Sequence, residues 1–105
     1  MNPRQLEAGV REIILDASRW RTDVDLIEAV IKGLEGPDWH GRNYNALYDS
    51  IVGGSINSIE PPYEFVFTHF GTVNAEVGDA IRYFREQIME WRARDRAEIN
   101  LRVEV

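Results

Sequence analysis

The chain has 105 residues, of which 44% are apolar and 29% are charged, and its formal net charge is −6. This length suits one compact domain with a single core. Cysteine is absent, which excludes disulfides, thiolate metal sites and a thiol nucleophile. No apolar run reaches the roughly 18 residues of a membrane span, and the N-terminus lacks the layout of a signal peptide. We therefore expect one cytoplasmic domain over residues 1–105, in which residues 1–10 form an N-terminal extension.

The negative charge is concentrated in the middle of the chain. Between Pro37 and Ile81, Arg42 is the single basic residue among six carboxylates, so this segment has a net charge of −5. It would repel a phosphate backbone, which argues against direct binding of RNA or DNA. A basic protein would be attracted and steered towards it. The alternative is that the acidic balance serves solubility alone.

The first predicted elements are a strand and a helix. Three adjacent aliphatic residues in REIILDA, Arg11 to Ala17, favour a strand. Thr22 or Asp23 can cap a helix that continues to about Glu35, before a Gly-Pro pair. Apolar spacing predicts that its inward face holds Val24, Ile27, Val30, Ile31 and Leu34.

The next segment, PDWHGRNYNALYDS, is a turn crowded with ring side chains that leads into a second helix. Asn43 is the predicted N-cap, and Gly53-Gly54 is predicted to end the helix. Helical spacing places Asn45, Asp49 and Val52 on one line beside the inward stripe. That stripe consists of Tyr44, Leu47, Tyr48 and Ile51, with Tyr48 at the seam between the two lines.

The remaining elements complete an α/β pattern. After Pro61-Pro62, the run YEFVFTHF is a β-prone segment, apolar on both faces, that belongs in the centre of a sheet. A long helix is predicted from Asp79 to about Asp95, and the alternating AEINLRVEV is predicted to be an edge strand. The order β-α-α-β-α-β favours a small three-stranded parallel sheet with packed helices.

Candidate catalytic groups are few. His40 or His69 with a carboxylate could supply general acid and base in a small α/β hydrolase or nuclease, and His69 ends the central strand, where α/β sites often lie. The sequence has no glycine-rich phosphate loop, nucleophile elbow or close histidine spacing for a metal. The enzyme therefore remains the less favoured alternative, and we predict no cofactor, metal or catalytic residue.

A binding surface is the other possibility. Trp39, in the turn, and Tyr48, at the seam of the second helix, are candidates for exposure beside Asp49, and exposed aromatic side chains beside a carboxylate are typical of an interface hot spot. Core packing of these rings is the alternative. Glu86 and Glu90 lie one turn apart, away from the inward face of the long helix. A solvated face also explains them, since Glu90 is placed to pair with Arg94 at i, i+4.

The stretch PDWHGRNYNALYDSIVGG resembles the hallmark of the barstar family of intracellular ribonuclease inhibitors. The segment YFREQIME is similar to the family's later helix, and GGSINSIEPPYEF is similar to a connection found in one branch. The resemblance covers about Leu15 to the C-terminus. The hallmark positions that match are Pro37, Asp38, Trp39, Gly41, Asn43, Ala46, Leu47 and Asp49, followed by Phe84, Arg85, Glu86 and Glu90 in the later helix.

The resemblance implies a barstar-like fold and a stoichiometric, non-catalytic inhibitor or immunity protein (antitoxin). The second helix would enter the active site of a basic ribonuclease or related toxin nuclease, with Asp49 in place of a substrate phosphate. The protein would be a monomer before it meets this partner. An alternative to the inhibitor is an interaction domain that keeps this fold and binds a non-nuclease protein. The partner-binding residues that it implies are Trp39, Asn43, Asn45, Tyr48, Asp49, Gly53, Glu86 and Glu90.

Four positions depart from the family pattern. Asn45 stands in place of an acid, Tyr48 in place of a tryptophan, His40 in place of a tyrosine, and Arg42 where the founding inhibitor is acidic. The departures leave the expected fold unchanged and bear on which nuclease is bound. The place of His40 beside Trp39 raises the hypothesis of a pH-dependent contact with the partner.

Overall fold

A computed structural model describes residues 10–105 of the protein. The predicted N-terminal extension, residues 1–10, lies outside the described residues except for Val10. The predicted order β-α-α-β-α-β is confirmed, with one short 3-10 turn, Phe70–Thr72, added after the second strand. The strands are β1 Arg11–Asp16, β2 Tyr63–Thr68 and β3 Ile99–Val103, and the helices are α1 Asp23–Gly33, α2 Tyr44–Ile51 and α3 Ala75–Asp95.

The sheet is parallel and has the order β1-β2-β3, so β2 is the central strand and β3 an edge strand, as predicted. Phe65 lies opposite Ile13 on one side and Leu101 on the other. Every residue of β2 from Tyr63 to Phe67 is buried, so the side chains of this central strand are buried on both of its faces. The parallel arrangement follows because each connection between strands crosses over through helices.

One face of the sheet carries the core. Phe65 and Phe67 are fully buried and contact the ring of Phe84 from α3, at centroid distances of 5.5 and 6.1 Å. On the opposite face Val66 is buried, while Ile14, beside it in register, is 64% exposed. The helices therefore pack on the phenylalanine face of the sheet.

Helix α1 begins where predicted and has a different inward face. The Asp25 carboxylate accepts hydrogen bonds from the backbone N–H groups of Arg21, at 2.7 Å, and Thr22, at 3.1 Å, which fixes the helix start. The prediction that Val24 faces the core is wrong, since it is 41% exposed and Leu26 is fully buried. From this start, helical geometry turns Val24 about 100° from the centre of the buried stripe.

Helix α3 begins at Ala75, one turn before the predicted start at Asp79. Asn74 caps it, because its side-chain oxygen accepts a hydrogen bond from the Val77 N–H at 2.8 Å. The predicted inward residues Ile81, Phe84, Ile88 and Trp91 are all buried. Over residues 10–105, the structure contains no helix with the length and apolar character needed to cross a membrane.

Candidate functional site

The turn before α2 is held by a buried histidine. His40 is 7% exposed; its Nδ1 lies 2.8 Å from the carbonyl oxygen of Gly41 and its Nε2 lies 2.8 Å from Ser50 Oγ. Because the carbonyl can only accept, Nδ1 donates to it. Ser50 Oγ also lies 3.2 Å from the carbonyl oxygen of Leu47. His40 is thus a turn residue that joins the turn to α2, and its ring nitrogens bond within the protein rather than towards solvent.

The residues next to His40 face solvent. Trp39 is 74% exposed, so of the two alternatives left open by the sequence, core packing or a surface position, the structure shows the surface position. The turn also lies near α1, where Arg42 Nε forms an ion pair with Glu28 Oε1 at 3.3 Å. The positive charge of Arg42 is therefore partly offset within the protein, and the exposed indole of Trp39 remains the main apolar feature of this end of α2.

Helix α2 presents Asp49 to solvent. Asn43 caps the helix as predicted, since its side-chain oxygen accepts a hydrogen bond from the Ala46 N–H at 2.7 Å. Leu47 is fully buried, and at about 100° per residue the side chain of Asp49 points to the opposite side of the helix. Asn45 is exposed on the same outer side. Among residues 10–105, no hydrogen bond or ion pair engages the Asp49 carboxylate.

Gly53 follows the end of α2 and lies close to the backbone of Asp49. A Cβ atom at position 53 would lie 2.4 Å from the carbonyl oxygen of Asp49, far inside van der Waals contact. The next residue, Gly54, has a φ angle of 77°, which glycine adopts without strain. The predicted end of α2 at the glycine pair is confirmed, because the helix finishes at Ile51.

A groove between α2 and α3 is lined with tyrosines. Tyr48 packs edge-on against Trp91, with centroids 5.4 Å apart, and its hydroxyl lies 3.3 Å from Asp95 Oδ1. Tyr44 packs in the same way against Tyr83 at 4.8 Å. Burial, with a smaller effect from Asp23, raises the pKa of Tyr44 to about 12. Tyr44 and Tyr48 are half-buried, so each takes part in core packing while one edge lines the groove.

The two predicted glutamates of α3 have different surroundings. Glu90 lines the groove beside Asn45 and Tyr48, and its Oε1 pairs with Arg94 Nη1 at 3.0 Å, the i, i+4 pair expected from the sequence. Glu86 is exposed one turn earlier, and no ion pair or hydrogen bond engages its carboxylate among residues 10–105. The structure therefore gathers Asn45, Tyr48 and Glu90 at one groove. Trp39, Asn43, Asp49, Gly53 and Glu86 lie outside its lining.

His69 is the histidine that meets a carboxylate. It has a left-handed φ of 63°, and its Nδ1 lies 3.0 Å from Asp16 Oδ1, at the carboxyl ends of β2 and β1. The pKa of Asp16 is lowered, chiefly because the backbone N–H of Ser18 donates to it, with a smaller effect from His69. Both side chains of the pair are more than half exposed. No cluster of three or more potential metal ligands occurs among residues 10–105.

Two side chains that position the site were missed by sequence reasoning. Ser50 binds the His40 ring and Asp95 binds the Tyr48 hydroxyl. The available signal for Ser50 was its place between Leu47 and Ile51, where a polar residue lies on the buried face of α2. Asp95 carries no comparable signal, since its contact depends on how α3 packs on α2.

The fold and this surface define a small three-stranded α/β protein that displays an exposed carboxylate on the outer side of a short helix. A sequence profile for the family described as Barstar (barnase inhibitor) matches residues 10–105, nearly the entire chain. The protein therefore belongs to the Barstar family. Members of this family are inhibitors rather than enzymes, which supports a barnase-inhibitor-like role in general. A search of curated proteins finds no match.

Proposed function

We propose that the protein is a stoichiometric inhibitor of a basic ribonuclease or related toxin nuclease, and that α2 enters the enzyme's active site with the Asp49 carboxylate in place of a substrate phosphate. The observation that carries this proposal is the position of Asp49. It is exposed on the outer side of a short helix, and its carboxylate has no hydrogen-bond or ion-pair partner among residues 10–105. A carboxylate in that position is available to an incoming cation.

The chemistry of ribonucleases supplies such cations. A ribonuclease presents Arg, Lys or His side chains to stabilise the charge that develops on phosphate. A carboxylate can accept charge-assisted hydrogen bonds from the same groups, and these strengthen as water leaves the interface. The net charge of −5 between Pro37 and Ile81 would also speed association with a basic enzyme. Asp49 and its acidic surroundings therefore fit a basic active site.

The geometry of α2 is preorganised for binding. Its first turn is fixed by the Asn43 cap, and its buried side is tied to the preceding turn through His40 and Ser50. A rigid helix loses less conformational entropy on association than a mobile loop does. Gly53 contributes by allowing the chain to pass close to the carbonyl oxygen of Asp49. We therefore infer that Asn43 and Gly53 act by holding Asp49 in place.

The other proposed partner-binding residues lie on the turn before α2, on α2 itself and on α3. Trp39 offers an exposed indole that can serve as an aromatic anchor. Asn45 and Tyr48 belong to the side of α2 that faces the groove, and Glu86 and Glu90 lie along the exposed side of α3. Together they would place two aromatic side chains and three carboxylates on one partner-facing surface. The inhibitor would act as a cytoplasmic monomer that protects the cell from the nuclease.

Affinity capture tests this function. Immobilised wild type and an Asp49→Ala control are exposed to the lysate and secreted fraction of the source organism, and retained proteins are assayed for ribonuclease activity. We expect wild type to retain a basic nuclease that the variant loses. The same nuclease on both columns would contradict the role of Asp49. Retention by wild type of a protein without nuclease activity would favour an interaction domain for another kind of partner.

The contact between His69 and Asp16 favours a second candidate, a hydrolase or nuclease that uses this pair as general acid and base. His40 contributes less to this alternative because both of its ring nitrogens have partners within the protein. The test is turnover of RNA and simple nucleotide esters by wild type and His69→Ala. Turnover that is abolished in the variant would support the enzyme, and no turnover by wild type would exclude it for these substrates.

A further inference from the structure

We propose that Arg94 is a specificity-determining residue of the inhibitory surface, which withholds Glu90 from the partner's cations and leaves the α2–α3 groove to an uncharged polar or aromatic side chain. This inference rests on the proposed function and distinguishes the carboxylates that can bind a partner's cations from the one that cannot. Asp49 and Glu86 are available to cations, whereas Glu90 is already paired within the protein.

Arg94 is held by three groups at once. Its Nη1 lies 3.0 Å from Glu90 Oε1, its Nε and Nη2 each lie 3.1 Å from Asp95 Oδ2, and its guanidinium lies 5.4 Å from the centre of the Tyr48 ring. Asp95 is itself fixed, since its other oxygen accepts from the Tyr48 hydroxyl. The planar guanidinium suits such combined pairing and stacking. Arg94, Asp95 and Tyr48 thus form a closed cluster that spans α2 and α3.

The cluster changes what the groove can bind. A lysine or arginine of the partner that approaches Glu90 would meet the guanidinium of Arg94 within a few ångströms, and like charges at that distance repel. An exposed pair between Glu90 and Arg94 alone would be easily displaced, but the contacts to Asp95 and Tyr48 keep the guanidinium in place. The carboxylate of Glu90 is therefore a poor site for a partner cation.

The remaining groove surface has a different chemistry. Asn45 and Gln87 supply uncharged amides, and the rings of Tyr44, Tyr48 and Tyr83 form its walls. Such a surface fits a planar or amide side chain, which can stack on a ring and hydrogen-bond to an amide without facing Arg94. The partner best suited to the whole surface has cations opposite Asp49 and Glu86 and an uncharged residue opposite the groove.

The test measures inhibition constants for barnase, the ribonuclease named in the family description. Arg94→Gln removes the cation and retains a long side chain. Arg85→Gln is the matched control, because it removes the same charge from an exposed position of α3 that helical geometry places about 180° from Arg94. The double variant Arg94→Gln/Glu90→Gln asks whether any gain depends on Glu90. Unfolding midpoints of all variants establish that each protein is folded.

We expect Arg94→Gln to inhibit barnase about tenfold more tightly than Arg85→Gln does, with the gain lost in the double variant, because a freed carboxylate gains the partner's cation. Equal inhibition by Arg94→Gln and Arg85→Gln, or a gain that persists without Glu90, would overturn the inference. Binding by Arg94→Gln where wild type fails would support it. If neither protein binds barnase, both this inference and the proposed function fail for that enzyme.

Asp49→Ala separates the two claims. If it abolishes inhibition while Arg94→Gln equals its control, the proposed function stands and the role of Arg94 is wrong. If Arg94→Gln gains affinity and that affinity survives Asp49→Ala, the role of Arg94 stands and the phosphate-mimic assignment is wrong.

Discussion

The hydrogen bonds of His40 give a stability prediction that can be worked from the structure. His40→Ala removes two hydrogen bonds of 2.8 Å, to Gly41 and to Ser50, from a side chain that is 7% exposed. Each bond contributes about 1 kcal/mol net, and the space left by the ring adds about 1 kcal/mol or more. We therefore expect the free energy of unfolding to fall by about 3 kcal/mol, against a total of about 5–15 kcal/mol for a domain.

Urea unfolding followed by tryptophan fluorescence measures this loss. With an m value of about 1–3 kcal/mol/M, the midpoint should fall by about 1–3 M. His69→Ala is the control, since that histidine is more than half exposed and the loss of its exposed ion pair with Asp16 should cost about 1 kcal/mol or less. The unfolding midpoint of Ser50→Ala should lie between those of His40→Ala and His69→Ala. Equal midpoints for His40→Ala and His69→Ala would refute the reasoning that the buried ring holds the turn to α2.

Three further predictions follow from particular contacts. Gly53→Ala should destabilise the protein by about 1–3 kcal/mol, because its Cβ meets the Asp49 carbonyl oxygen; an unchanged unfolding midpoint would contradict this. In an alkaline absorbance titration, Tyr44 should ionise near pH 12, and stability should be full below its ordinary pKa of 10.0 and fall as pH rises through the raised value, a loss that Tyr44→Phe removes. The backbone N–H groups of Arg21 and Thr22 lower the pKa of Asp25, so its stabilisation is present above pH 3.8 and lost as pH falls below it. Acid unfolding of Asp25→Asn should lack this component.

Local signals were sufficient for most of the fold. The contiguous apolar run of β2 predicted the central strand, and the alternating apolar and polar residues of β3 predicted an edge strand. Both patterns are informative because successive side chains of a strand point to opposite faces of the sheet. Asn43 and the glycine pair bounded α2 correctly, since capping depends on residues a few positions apart. The start of α3 also has a local signal, because Asn74 is a capping residue five positions before the predicted start.

The contacts that define the site could not be predicted in the same way. The bond between His40 and Ser50 joins residues ten positions apart, and their meeting depends on the path of the turn. The contact of Arg94 with Tyr48 requires the packing of α2 against α3, which no periodicity specifies. Exposure of Trp39 was left open between core and surface for the same reason. The structure does not support the hypothesis that His40 contacts the partner, because its ring is buried and both ring nitrogens form hydrogen bonds within the protein.

Spacing along a single helix predicted the positions of several side chains at the candidate site. Asp49 was singled out by its place on the outer line of α2, and the structure shows it exposed on that side. Glu90 and Arg94 were expected to pair from their spacing, and they do. The spacing of residues on one helix is therefore sufficient to predict contacts within that helix, whereas contacts between elements need the tertiary structure.

The most direct test of the central claim is a titration of ribonuclease activity with the protein and two charge-matched variants. The enzyme is the nuclease that wild type retains, or barnase. Asp49→Ala removes the proposed phosphate mimic. Asp79→Ala removes an equal charge at an exposed position of α3, where the carboxylate pairs with Arg82.

We predict that activity falls to zero at one molecule of wild type or Asp79→Ala per enzyme. Removing one partner of a buried ion pair costs about 3–5 kcal/mol, so Asp49→Ala should raise the inhibition constant by about 10²–10³-fold or more. Inhibition by Asp49→Ala that matches wild type would contradict the account.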